Sequence, residues 1–243
     1  MSDESDRSIV LERLRTARTA REAMGASDGP RPAVEPAAIA APTPSTEPRT
    51  VTTEEPVARI PRFARSLELV NGVCHRATSD AAAAEALLSI VRDRQASVIA
   101  RSDDELVIKL LEGVAGGFVL LSPGATRTEL LGADIGVTRA TIGIAEYGTI
   151  MLESGDAAGH LGRPTERNRL AALVPEIHVA VLAASDLVDT WDEALASSRR
   201  PGGGPPPTVT FATGPSRTAD IEMELVLGVH GPRAQHVIVL EHR

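Results

Sequence analysis

Apolar positions change their spacing from stretch to stretch along this chain, and the spacing predicts the elements. Between Asp80 and Arg94 they recur at Ala83, Leu87, Ile90 and Val91, one stripe of a 3.6-residue period, with Thr78 or Ser79 placed to cap it. A second helix carries Leu106, Leu110 and Val114 inward and stops at Gly116-Gly117. Ser102-Asp-Asp-Glu105 reads as its capping box, Ser and Glu each satisfying the other's end of the first turn. Val98–Ala100, Phe118–Leu121, Ile177–Leu182, Val209–Ala212 and Val237–Leu240 are short apolar runs bounded by turn residues, and predict strands. From Thr138 to Leu152 the period drops to two. Thr138, Ala140, Ile142 and Ile144 alternate with Arg139, Thr141 and Gly143, and Thr149–Leu152 resumes after Tyr147-Gly148, which predicts a hairpin. Ser185-Asp186 is expected to cap a helix ending near Ser198, and Ala219–Leu227 is expected to be helical.

Strands alternating with helices require crossover connections. The fold class is therefore α/β: a single domain over 58–243 with a mostly parallel sheet flanked by helices and an inserted hairpin. Ahead of it, residues 1–25 carry a short helix over 8–23, with Val10, Leu14 and Ala17 on one stripe and Arg13, Arg15, Arg18 and Arg21 around it. Residues 26–57 are rich in Pro, Ala, Thr and Glu with little to bury, and read as a disordered linker. Arg199–Pro207 reads as a flexible surface excursion.

Composition excludes more than it selects. With net charge −8 and only five Phe, Trp and Tyr residues among 243, neither a basic face nor a stacking platform for nucleic acid is visible. The acidic start, Met1-Ser-Asp-Glu-Ser-Asp, is unlike a secretory signal, and no apolar run approaches the ~20 residues needed to cross a bilayer. A cytoplasmic protein with no membrane insertion is expected. Cys74 is the single cysteine, which excludes thiolate zinc sites and self-contained iron–sulfur clusters. Lys109 is the single lysine, and no Gly-Lys-Ser/Thr occurs, so a P-loop is absent. No cofactor is expected, and no metal: His160, His178, His230 and His236 form no helical i, i+4 ligand pair, and His178 and His236 read better as core or turn histidines.

Candidate chemistry gathers near the C-terminus. Gly214-Pro-Ser-Arg-Thr-Ala-Asp-Ile-Glu222 and Gly228-Val-His-Gly-Pro-Arg233 set Gly and Pro among hydroxyls, Arg and His more densely than a plain connection needs. Glycine lets backbone N–H groups approach a ligand, and proline keeps the loop fixed. A helix leaving the first loop would aim its N-terminus at a small anion, with Gly214, Ser216, Arg217 and Thr218 as donors and Asp220 beside them. A well-capped helix start with an exposed Arg is the plainer alternative. In the second loop, Gly231 and Arg233 fit an anion clamp and His230 a general acid or base, against a tight turn into the last strand. Glu146 stands at a strand end beside Gly148 and Thr149, where a carboxylate suits a base or nucleophile, or is merely a solvated turn residue. Gly155–Arg163, with Asp156 and His160, reads as a plain loop.

Five stretches together resemble a known family: Ala133-Asp-Ile-Gly-Val-Thr-Arg-Ala140, Gly143-Ile-Ala-Glu-Tyr-Gly-Thr-Ile150, Arg169-Leu-Ala-Ala-Leu-Val-Pro-Glu-Ile-His178 and the two C-terminal loops. Over residues 60 to 243 the chain looks like the LUD domain, of the lactate utilization protein C type. The resemblance implies a fold related to glucosamine-phosphate deaminase, ribose-phosphate isomerase and CoA-transferases. It also implies a place in a cytosolic system oxidising L-lactate to pyruvate, beside iron–sulfur-containing lactate utilization components, with this chain the cluster-free subunit binding a small anionic ligand. The alternative is a free-standing enzyme on a small acid, sugar phosphate or acyl-CoA. Glu146 would then be a loose counterpart of the CoA-transferase glutamate.

Overall fold

The computed structural model describes residues 56–114, 116–123, 125–153, 165–198, 208–219, 225–227 and 231–243. The expected N-terminal helix, the linker up to residue 55, the 155–163 loop and the 199–207 excursion lie outside the described residues. The first helix, α1 (Pro56–Leu69), begins inside the stretch read as linker, and buries Ile60, Phe63 and Leu67, spaced by three and four along one face.

Six parallel strands form the main sheet: β1 (Val73–Ala77), β2 (Val98–Arg101), β3 (Val119–Leu120), β4 (Ile135–Arg139), β7 (Ile177–Ala183) and β12 (Ala234–Leu240), in the order β1-β12-β7-β4-β2-β3. The intervening elements make a second, four-stranded sheet: β5 (Ile142–Ile144), β6 (Thr149–Glu153), β8 (Leu187–Val188) and β9 (Val209–Thr213), ordered β8-β5-β6-β9. The predicted hairpin exists as the antiparallel pair β5–β6. It belongs to this second sheet, while the preceding Ile135–Arg139 lies in the parallel one. The α/β class with a mostly parallel sheet is thus the observed architecture.

Every residue of β7 is buried, as expected where both faces of a parallel sheet are covered. Alternation assigns the faces. Val179, Val181, Ile238 and Leu240 pack with Ala83, Leu87, Ile90 and Val91 of α2 (Asp80–Asp93) and with Val107, Leu110 and Leu111 of α3 (Glu105–Glu112). Ala180, Leu182, Val237 and Val239 face the other way, onto Ile60, Phe63 and Leu67 of α1 and onto Ile150, Leu152 and Leu187 of the small sheet. On that side, beyond the short helix α4 (Arg127–Leu130), α5 (Thr165–Leu173) sits so close to β4 that a Cβ at Gly136 would overlap the Ala171 carbonyl. Cys74 is half-buried on edge strand β1; desolvation first, then the nearby Glu68 carboxylate, pushes its thiol up to about 12.

Ser79 caps α2 as expected, its hydroxyl accepting from Ala82 N. Other sequence expectations need correction. Helix α3 is capped by Asp104 rather than Ser102, Asp104 accepting from Leu106 N two residues on, and it ends at Glu112, ahead of the Gly116-Gly117 pair. A carboxylate one residue from the helix reaches the free amides that a serine three residues away does not. Residues 185–198 are not one helix: a 3-10 turn (Ala184–Asp186) leads to β8, and Thr190 caps α6 (Trp191–Ser197). Nor are the described ends of the stretch Ala219–Leu227 helical. Strands β10 (Arg217–Ala219) and β11 (Leu225–Leu227) pair antiparallel. The alternation of Ile221, Met223, Leu225 and Leu227 with Glu222, Glu224 and Val226 carries a period of two that competes with helix propensity. Among the described residues, no helix is long and apolar enough to cross a membrane.

Candidate functional site

With strand β10 rather than a helix leaving the Gly214 turn, the expected helix N-terminus does not face an anion there, and the site must be built otherwise. The two C-terminal turns do meet. Ser216 N donates to the Pro232 carbonyl at 2.8 Å, and a Cβ on Gly231 would stand 3.2 Å from Ser216 Cβ, so only a small residue lets the turns close. Gly214 takes φ +73°, a left-handed conformation that favours glycine, and any Cβ there would overlap the Val70 carbonyl just past α1. One hydrogen bond and two close approaches therefore fasten both turns to each other and to α1.

Beneath the joined turns lies a cavity of about 30 Å³ lined by Gly214, Pro232, His178, Gln235, Leu152, Ala172, Leu173 and Ala212. Its lining is almost wholly apolar, with His178 and Gln235 the two polar side chains that border it. His178 and Gln235 are register partners at the starts of β7 and β12, both almost fully buried. His178 Nε2 lies 2.8 Å from Thr138 Oγ1 on β4. Burial, and then the nearby His236, push the His178 imidazole down to about 4, so it is neutral at physiological pH. Gln235 Oε1 is buried with no hydrogen-bond partner. Leaving a buried acceptor unmade costs on the order of 1–3 kcal/mol, so Gln235 is held in the core at a cost to stability.

Arg233 sits at the rim. Its backbone N–H donates to the Glu176 carbonyl at 2.7 Å, and its guanidinium pairs loosely with the Glu176 carboxylate at 3.9 Å, both side chains well exposed. The backbones of Arg217 and Thr218 belong to β10 beside the turn. Asp220 and His230 lie outside the described residues.

Glu146 occupies a different neighbourhood. Its carbonyl accepts from Ser66 Oγ at 3.1 Å and its N–H donates to the Asp189 carbonyl at 3.3 Å, and it is not among the residues lining the cavity. Asp189, nearly buried, is paired with Arg59 and Arg62 of α1, and Arg59 Nη1 also reaches the Leu187 carbonyl at 2.9 Å. Gly148 has φ +62°, and a Cβ there would overlap the Leu67 backbone, so this glycine lets the β5–β6 turn dock on α1. Thr149 is fully buried, its hydroxyl 2.8 Å from that of Thr213. Of the described predicted residues Gly214 alone lines the cavity; Ser216 and Gly231 meet where the turns join, Arg233 follows Pro232, Thr149 sits beside Thr213 at the entry to the first turn, and Glu146 and Gly148 lie against α1. Sequence reasoning missed Gln235. Beside His236 it reads only as the polar lead-in to a core strand.

A histidine pair lies on the opposite face: His75 Nε2 and His236 Nδ1 are 3.0 Å apart, and desolvation, then His75, lower His236 to about 4. Among the described residues no three His, Cys, Asp or Glu side chains converge as metal ligands.

Known proteins resemble the chain at two levels. A crystal structure of a DUF162 family protein from Deinococcus radiodurans superposes with a TM-score of 0.54 at 22% identity, covering 77% of this chain and 99% of that one, a likeness of fold. Three proteins called lactate utilization protein C are more similar in sequence. That of Halalkalibacterium halodurans is 39% identical over 114 residues, 46% of each chain. That of Exiguobacterium sp. is 38% identical over 121 residues, 48% of this chain and 49% of its own. That of Geobacillus sp. is 36% identical over 113 residues, 45% and 43%. The chain spans about half the length of these relatives or a little less. The LUD domain family model matches residues 60–240, which takes in α1, both sheets, the joined turns and the cavity beneath them. The chain belongs to the LUD domain family.

Proposed function

We propose that this protein is a component of a lactate utilization system and holds a small anionic ligand where its two C-terminal turns meet. The lactate role rests on family membership and on the names of the relatives above. The ligand role rests on one observation: the Ser216–Pro232 hydrogen bond closes both turns over a cavity bordered by the polar His178 and Gln235. Arg233 supports it, because an exposed ion pair with Glu176 is worth little and is readily exchanged for a ligand carboxylate. As the cluster-free member, the chain would act in the cytoplasm beside iron–sulfur-containing lactate utilization components, which would carry the electrons that lactate oxidation to pyruvate releases.

The test is direct. Millimolar L-lactate, pyruvate or inorganic phosphate should raise the melting temperature of the full chain, and Arg233→Gln should weaken that binding about tenfold, the worth of one charge-assisted hydrogen bond. An unchanged melting temperature with all three anions sinks the ligand reading. The enzymatic alternative turns on Glu146, which stands apart from the cavity; turnover of an acyl-CoA or sugar phosphate by the isolated chain, abolished in Glu146→Gln, would favour it instead.

A further inference from the structure

The chain has only five Phe, Trp and Tyr residues, and the fold gathers three of them in one patch. Trp191 meets Phe211 edge-on with ring centroids 4.4 Å apart, and Tyr147 lies 6.0 Å from Trp191. Trp191 and Phe211 pack with Met151 and Val209 on the outer face of the small sheet, turned away from the main one. Among the described residues, the seven-residue α6 alone joins the strands in that cluster. Tyr147 stays 43% exposed and Leu195, one turn along α6 from Trp191, 49%. Aromatic rings clustered at the surface beside an exposed leucine mark a contact face.

The rim of this patch is acidic. Asp192 and Glu193 open α6, Glu146 precedes Tyr147, and Glu153 shares the face with its register partner Val209. An occupant should therefore be apolar on one side and basic around it. The chain carries such a segment. Residues 8–23, outside the described residues, set Val10, Leu14 and Ala17 at helical spacing, and Arg13, Arg15, Arg18 and Arg21 outnumber Glu12 and Glu22. A segment that short is marginal as a helix in water and gains most by packing its stripe on a surface. It also reaches this face. The chain enters the domain at Pro56, where the first turns of α1 hold Arg59 against the Leu187 carbonyl and Asp189, just ahead of α6. Residues 24–55 span on the order of 30 Å as a flexible coil, about the width of a small domain. The stretches 199–207 and 155–163, which adjoin the same sheet, offer Leu161 as their one large apolar side chain. We propose that residues 8–23 dock on the aromatic face of the same chain's small sheet, with Val10 and Leu14 against Tyr147, Trp191 and Leu195 and the arginines toward the carboxylate rim.

Trp191 is the single tryptophan, so its fluorescence reads the contact without a label. The experiment is acrylamide quenching of the full chain, of Leu14→Asp, and of Ala40→Asp in the connecting stretch. Both substitutions precede α1 and leave its core untouched. Losing a buried leucine weakens docking about tenfold or more, so the Trp191 quenching constant should rise about twofold in Leu14→Asp. Ala40→Asp should keep the native value. That value should also hold on dilution, because a tethered segment meets its site at a fixed effective concentration. Equal quenching in the native chain and Leu14→Asp overturns the inference. An equal rise in Ala40→Asp does so too. A native quenching constant that climbs on dilution would put the segment on a second copy, and overturns docking within one chain.

Discussion

The two sheets of this domain are held in place by different means. The six-stranded sheet is covered on both faces by apolar side chains; in β7 and β12 all but Ala234 are buried, and the strands read as almost continuous hydrophobic runs. The four-stranded sheet is shorter, and it is fastened to α1 by backbone proximity at Gly148 and Gly214 and by the Asp189 pairs with Arg59 and Arg62. Both bury apolar area, the small sheet through Ile150, Leu152 and Leu187 against Ile60, Phe63 and Leu67, and the small sheet leans in addition on places where only glycine or a charged pair fits. The candidate site lies along the seam between them, its floor from the large sheet and its roof from turns bordering the small one. A rigid floor beneath lightly fastened turns is a sensible place for a ligand to act.

The largest test of this contrast is Gly136→Ala. The new methyl would meet the Ala171 carbonyl, a backbone atom that cannot step aside, so helix and sheet must part. We expect a loss of about 3 kcal/mol or more in denaturant unfolding, with both sheets affected together. A loss below about 1 kcal/mol would show that α5 is not anchored there.

Acid comes next, and it acts on the large sheet. His178 and His236 both sit in its strands with imidazoles pushed down to about 4 from an ordinary 6.5. The fold favours the neutral ring, so between those values the unfolded chain binds more protons and stability falls as pH drops from 6.5 toward 4. Above 6.5 this contribution is complete and constant. For His178 alone the loss at pH 4 is roughly 3 kcal/mol, and a urea midpoint independent of pH across that window would contradict the burial described here.

Gly148→Ala should cost less, about 2 kcal/mol, from the left-handed backbone and the contact with Leu67. Its signature is local. Amide exchange should quicken in β5, β6 and β9 while β7 and β12 keep their protection; uniform quickening would mean the two sheets open as one.

Much of the large sheet was legible because its local signals agree. Ser79 caps a helix whose Ala83, Leu87, Ile90 and Val91 share a face, and Ile177–Leu182 is apolar throughout. The hairpin around Tyr147-Gly148 was legible from its alternation, but its membership of a separate sheet was not, since sequence spacing says nothing about which sheet a strand joins. Helix α1 was hidden by Pro56 at its start and by Pro61 inside a stripe of only three buried apolar residues. The C-terminal stretch misled because two periodicities overlap there, so β10 and β11 appear where a helix was expected. At the site, turn chemistry drew attention to the stretches that hold Ser216 and Gly231, and in the fold those two turns meet. Gln235 could not be singled out, because what matters about it is an unmet hydrogen bond, which exists only once β12 lies beside β7.

Cys74 gives the molecule one last property. A thiol held near 12 has about one part in 10⁵ of its population as thiolate at pH 7, and only the thiolate reacts quickly. Since no other cysteine competes, a disulfide reagent added to this protein works as a stopwatch: colour develops at the pace at which edge strand β1 comes away from β12.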